Sequence, residues 1–288
     1  MGSLLLVAFC VPLGVLLRRD LQTATLNHWA LHVALPAITL LSMHRVQKLE
    51  PALVASVWVV LVGGVVWSLI LGKLLGWDRQ TIGAVALCAA FSNTSFVGFP
   101  LLEAYVGHEA LPHAAQVDQL GSFFLVSTVG QGIASVAAGG STSPRKLLLA
   151  MAKFPAVYAS ILGLLSRDWP MPAPLEELLA RLGSTLSPVA LVAVGTTLQL
   201  PKAGILRELA LGLGYKLVLA PMLLLLFLPA VGLYGLPAKV ALLEGAMAPM
   251  TTAALISLEY RLRPELTAGL VGLGIPLSIG TVYLWSLY

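Results

Sequence analysis

Ala89-Ala90-Phe91-Ser92-Asn93-Thr94-Ser95-Phe96-Val97-Gly98-Phe99-Pro100 lies in a run apolar enough to cross a bilayer, yet it carries a hydroxyl- and amide-rich centre and a proline. A second run, Leu243-Glu244-Gly245-Ala246-Met247-Ala248-Pro249-Met250-Thr251-Thr252, has the same character. Proline removes a backbone donor and clashes with the preceding turn, so both helices are expected to break or unwind there. In hydrocarbon, freed backbone groups are tolerated only when buried in protein or facing a wet cavity. Matched interruptions in two halves of a membrane chain mark a carrier's binding site.

Composition makes the membrane the solvent. Of the 288 residues, 58% are hydrophobic and 10% are charged, against about 25% charged in a soluble domain. The mean hydropathy is +0.91. Basic residues are scattered through short loops, so the formal charge of +4 reads as positive-inside bias and not as a nucleic-acid footprint. Cys10 and Cys88 both fall in apolar runs and read as buried thiols without a disulfide framework. The start, 1–17, is apolar like a signal peptide, but Arg18-Arg19 follows the run instead of preceding it. It reads as a first transmembrane helix.

Cutting at charged, Pro and Gly clusters predicts ten spans: 2–17, 23–43, 51–75, 80–106, 113–138, 147–165, 175–199, 205–229, 236–259 and 265–287. The longest polar linker, Gly139-Gly140-Ser141-Thr142-Ser143-Pro144-Arg145-Lys146, divides them into 1–138 and 147–288, five spans each. With the N-terminus outside, 12 of the 17 Lys and Arg residues fall on the inner side, Lys216 among them. Both termini are then extracytoplasmic, and the two halves lie in opposite orientations, as an inverted repeat. Pro36 in span two and Pro188 in span seven share that register. Pro12, Pro155, Pro221 and Pro276 read as the ordinary prolines of membrane helices.

Span four, Asn93-Thr94-Ser95-Phe96-Val97-Gly98-Phe99-Pro100-Leu101 followed by Gly107, resembles the signature of the auxin efflux carrier family, with Ser95 where that family has Gly. Ala34-Leu35-Pro36-Ala37, Phe154-Pro155, Ser187-Pro188, Lys216 to Pro221 and Glu244 to Pro249 extend the likeness over nearly the whole chain. The resemblance implies an all-α polytopic fold of ten helices in two inverted repeats, with helices four and nine broken where they cross. It implies a scaffold of helices one, two, six and seven, usually dimeric, and a transport domain of the other six that moves like an elevator. It implies an organic-anion substrate, including indole acetic acid in plants and small dicarboxylates in bacteria, and a bacterial cytoplasmic membrane location. In sodium-coupled relatives, the bile-acid symporters, an acidic residue in helix nine and a Ser-Asn pair in helix four line a sodium site. Ser92, Asn93 and Glu244 match those types, with Ser122 in span five completing the candidate set. Ala248-Pro249 lacks the amide of a second sodium site.

The residues themselves agree with anion transport. A half-helix N-terminus presents unpaired N–H groups and partial positive charge, which suit a carboxylate. Thr251 and Thr252 follow Pro249 and add donors; Asn93, Thr94, Ser95 and, from span five, Gln119 add polar groups at membrane depth. Pro100 and Pro249 act through backbone shape. The plainer alternative is that these side chains only cap freed carbonyls. Glu244, deep in an apolar run, is costly unless paired, protonated or cation-bound; sodium is the first coupling ion, because Ser92 and Asn93 match the relatives' ligand types, with proton coupling or none as the alternatives. His28 and His32 have i, i+4 spacing that could grip a metal, but no third ligand is in view and an interfacial or dimer-contact role is the stronger reading. His108 and His113 read as solvated. No enzyme motif such as His-Glu-x-x-His or Gly-x-Ser-x-Gly is present, and no repeated pore-lining charge favours a channel. No Arg lies in the crossing, which favours a monoanion or a cation-assisted anion over a clamped dianion. An aromatic, auxin-like acid remains the alternative substrate.

Overall fold

The computed structural model describes residues 2–19, 22–140, 155–197 and 203–288. The linker from 141, the first eight residues of predicted span six, and 198–202 with Lys202 lie outside the described residues. The regular elements of the described residues are all helical, and among those residues the only β pairing is an isolated antiparallel bridge between Ser92 and Pro249.

Four helical runs are long and apolar enough to cross a bilayer unaided: Pro51–Leu75, His108–Ala137, Leu206–Ala230 and Pro264–Ser286. The first is α4. The second contains α7 (Leu111–Ala115), two widened π turns (Gln116–Phe123 and Val126–Gly130) and α8 (Gln131–Ala137); the last is α16. Between them lie shorter or interrupted elements. These are α1 (Gly2–Leu17), α2 (Thr23–Trp29), α3 (Leu35–His44), α5 (Arg79–Ala90), α6 (Phe99–Tyr105), α9 (Pro155–Ser166), α10 (Ala173–Ser184) and α11 (Leu186–Thr197). The third run is α12 (Leu206–Gly214) with α13 (Ala220–Ala230), and α14 (Gly235–Gly245) and α15 (Thr251–Glu259) follow it.

Proline explains much of this segmentation. Its ring clashes with the carbonyl of residue i−4 in a regular helix. For Pro36, Pro100 and Pro221 that residue is His32, Phe96 and Leu217, and each is the central residue of a π turn: Ala30–Ala34, Thr94–Gly98 and Tyr215–Leu219. A widened turn gives the ring room without ending the helix. Two expectations change. Pro100 does not mark the break of its helix; the chain leaves helical geometry at 91–93, and Pro100 sits in the first turn of α6. Pro221 is not an ordinary proline, because its π turn carries Lys216. Pro249 does lie in a break, at 246–250.

Packing falls into two groups. α1 lies along α11, α2 also meets α11, and α3 is flanked by α9 and α10. Glycine permits the closest approach: a Cβ on Gly14 would lie 2.2 Å from the Val192 carbonyl oxygen, and one on Gly195 2.2 Å from that of Val11. Small residues do this between membrane helices because backbones must come close to gain dispersion energy. In the other group α4 packs on α5, α13 and α14, and α5 on α8, α15 and α16. The groups meet where α1 touches α6, α11 touches Thr94–Gly98, and α9 touches Gln116–Phe123.

Candidate functional site

The break at 91–93 and the break at 246–250 satisfy each other. The Asn93 N–H donates to the Ala248 carbonyl at 2.8 Å, and the Met250 N–H to that of Phe91 at 3.0 Å. Two broken helices are thus stapled at the centre of the protein by the backbone groups that their own breaks expose. A side-chain bond reinforces the staple, as Asn93 Nδ2 donates to Thr251 Oγ1 at 2.8 Å.

α15 begins at this staple. Met250 occupies its N-cap position with extended backbone, and no side chain caps the first turn. The amides of Thr251 and Thr252 therefore carry the helix's positive end with no side-chain acceptor. Both threonines are partly exposed, and Thr251, which accepts from Asn93, keeps its hydroxyl proton for another acceptor.

Thr94 and Ser95 are engaged elsewhere. Both hydroxyls donate to Asp118 Oδ1, Ser95 at 2.5 Å. Gln119 Nε2 donates to Asp118 Oδ2 at 2.5 Å, and Gln119 Oε1 accepts from Ser160 Oγ at 3.2 Å. Asp118 is completely buried, yet both its oxygens are satisfied, as burial of a carboxylate requires.

The loop count places Lys216 among the inner charges. It is instead fully buried, with Nζ donating to Ser92 Oγ at 2.6 Å and to the Gly245 carbonyl at 2.7 Å. The ammonium thus sits at the end of α14, where freed carbonyls collect partial negative charge. Its position was legible: it lies eleven residues inside the predicted span 205–229, and a lysine at membrane depth is functional by default.

Glu244 is 1% exposed, and neither carboxylate oxygen has a hydrogen-bond partner. It packs against bare backbone, since a Cβ on Gly98 would lie 2.4 Å from its Oε2. A cavity of about 10 Å³ lies beside it, lined by Ser92, Thr94, Ser122 and Glu244 among others. That is room for one water-sized species. Ser122 Oγ, also without a partner, borders the same space. Of the sodium candidates, Ser92, Ser122 and Glu244 line this cavity, and Asn93 turns to Thr251 instead.

The remaining histidines are peripheral. His28 and His32 are exposed and stacked, with ring centroids 4.1 Å apart. His108 is exposed and pairs with Glu103 at 3.3 Å. His113 departs from the solvated reading, since it is half-buried and its Nδ1 has no partner. Among the described residues no cluster of three or more His, Cys, Asp or Glu could hold a metal. Cys10 and Cys88 are free and buried, as expected.

The family model described as "Membrane transport protein" matches residues 5–286. The chain belongs to this family. It is the auxin efflux carrier family that span four resembles. Among curated family relatives, an "Uncharacterized transporter" of Methanothermobacter thermautotrophicus is 24% identical over 281 residues, covering 95% of this chain and 91% of the relative. A second "Uncharacterized transporter", from Methanocaldococcus jannaschii, is 22% identical over 98% of this chain and 94% of its own length. A "Putative malonate transporter" of Rhizobium meliloti is 26% identical over 89% of this chain and 84% of its own. This family member is therefore an integral membrane protein related to transporters.

Proposed function

We propose that the protein is a secondary active carrier of a small organic anion, working by alternating access in which one helix group slides past the other. The observation that carries this reading is the uncapped N-terminus of α15 at the staple between two broken helices. Its free amides and the Thr251 and Thr252 hydroxyls form a donor set for one carboxylate. On this reading the chain is an inverted repeat of ten spans, 1–138 and 147–288. α1–α3 and α9–α11 form the scaffold, a homodimer in which His28 and His32 sit at or near the contact, and the rest form the moving domain. One relative's name makes malonate the first substrate to try. The test is a thermal-shift screen of malonate and other carboxylates with the purified protein, because ligand binding to the native state raises its apparent stability. Asn93→Ala and Thr251→Ala are expected to abolish the shift while lowering the ligand-free melting temperature little. A large fall in that temperature with the ligand shift retained assigns these residues to capping alone.

The same geometry favours proton over sodium coupling. The ammonium of Lys216 holds Ser92 Oγ and the carbonyl of Gly245, oxygens of the kind a sodium ion would need. Glu244, on which the charges of Asp118 and Lys216 both act, then carries the titrating role, because a buried carboxylate with no donor is costly in its charged form. Glu244→Gln should flatten the pH dependence of uptake. If it leaves that dependence intact and instead eliminates stabilisation by sodium, the coupling ion is sodium.

A further inference from the structure

Asp118 is tied to the crossing through the residues that follow the break at 91–93. Its carboxylate gathers three donors from two elements: the Thr94 and Ser95 hydroxyls on the π turn that follows the break, and the Gln119 amide beside it. That gathering fixes the direction of both hydroxyl protons, so Thr94 and Ser95 turn lone pairs, not protons, toward other neighbours. The chain of bonds continues through Gln119 Oε1 to Ser160 Oγ on α9. α9 belongs with α3, in the helix group opposite to the crossing. The relay is buried along its length, at 0% exposure for Asp118, 6% for Gln119 and 6% for Ser160.

Ser160 has one hydroxyl proton and two acceptors. Besides Gln119 Oε1 at 3.2 Å, it reaches the carbonyl of Ala156, one turn earlier on its own helix, at 2.7 Å. When the groups separate, Ser160 falls back on Ala156 and leaves no unsatisfied hydroxyl. Only the Gln119 oxygen loses a partner. The bond is therefore one that a sliding boundary can break and remake.

We propose that Asp118 is a positioning residue for the crossing and that, through Gln119, it latches the crossing to Ser160 across the boundary between the two helix groups. The latch rests on the sliding-group reading above. Substrate arriving beside Asn93 disturbs the adjacent Thr94 and Ser95, and Asp118 passes the change to the amide that holds Ser160. A neutral hydrogen bond changes an equilibrium about two- to tenfold, and this one, longer than the bond to Ala156 with which it shares its proton, belongs at the lower end. That is strong enough to bias the resting state and weak enough to open at each turnover.

Ser160→Ala removes the far end of the relay and leaves the crossing untouched. In proteoliposomes it should leave the KM for malonate counterflow within twofold of the parent and change the exchange rate about two- to tenfold. Asp118→Asn, which cannot accept from all three donors, should instead raise KM about tenfold. Ser160→Ala exchanging at the parental rate, or Asp118→Asn at the parental KM, overturns the proposal. A second readout does not depend on substrate identity. Spin labels at Phe124→Cys and Leu162→Cys, both exposed, report the separation of the groups in a background lacking Cys10 and Cys88. Ser160→Ala should change the ratio of their distance populations; an unchanged distribution overturns the latch. If the parent exchanges no carboxylate at all, the substrate reading fails and the distance measurement still decides the latch.

Discussion

At the scale of single residues, the charged groups divide by whether the fold answers them. Asp118 has three donors and Lys216 two acceptors, whereas Glu244 has none. A carboxylate without a donor in a membrane interior, met only by the charge of nearby Lys216, is held at a cost, and such costs are retained at functional positions. Gly98 makes the position possible, because any side chain there would occupy the space of Glu244 Oε2. Gly98→Ala should therefore cost about 1–3 kcal/mol of stability through overpacking. In a Glu244→Ala background the same change should cost much less, since the atoms it strikes are gone. Melting temperatures of the two single variants and the double variant check this. Additive losses would mean that Gly98 is needed for its backbone and not for the room it leaves.

At the scale of elements, proline has two distinct effects here. Pro249 lies inside a break, but Pro100 and Pro221 lie in continuing helices just after a π turn. Pro249→Ala is therefore expected to abolish uptake by letting α14 run on toward α15, even though helix propensity improves. Pro221→Ala should impair uptake too, since a regular turn in place of Tyr215–Leu219 rotates Lys216 away from Ser92. Pro100→Ala should be the mildest, because the break at 91–93 is upstream of it. Uptake rates at matched expression rank the three, and Pro100→Ala as harmful as Pro249→Ala would refute the assignment. The broken segments were legible in the sequence because their signal is local: a proline beside clustered hydroxyls. The depth of Lys216 was legible in the same way, but the contacts of Lys216 and Asp118 were not, because each depends on a partner on another element, Ser92 for one and Thr94 for the other. Asp78 shows the local kind of signal again. It caps α5 by accepting from the Thr81 N–H at 2.7 Å, and its hydrogen bonding to Thr81 holds its carboxyl below the usual range. A depressed carboxyl stabilises the fold above its unfolded pKa of about 3.9 and loses that contribution as pH falls through its folded value. Asp78→Ala should cost about 1 kcal/mol at neutral pH, and the difference from the parent should shrink in acid. A melting-temperature gap that persists unchanged below pH 3 would show that the cap acts without its charge.

At the scale of the whole molecule, the two halves are expected to face opposite ways. Removing Lys216 from the loop count leaves eleven inner against five outer basic residues, so the bias survives the correction. The pairing of breaks supports the same arrangement. The Ser92–Pro249 bridge is antiparallel, which requires the strand-like segments of the two broken helices to run in opposite directions where they meet. Helices that enter from opposite sides of the membrane and break at its centre meet in that way. On the proposed arrangement of two halves of five spans each, facing opposite ways, the linker after α8 is expected on the cytoplasmic side and the end of α16 outside. Single cysteines at Gly139 and Tyr288, both exposed, test this with an impermeant maleimide on intact cells. Tyr288→Cys should label at once and Gly139→Cys only after the membrane is opened. Labelling of both from one side would place an even number of crossings between them, and the inverted arrangement, with the sliding mechanism built on it, would fall.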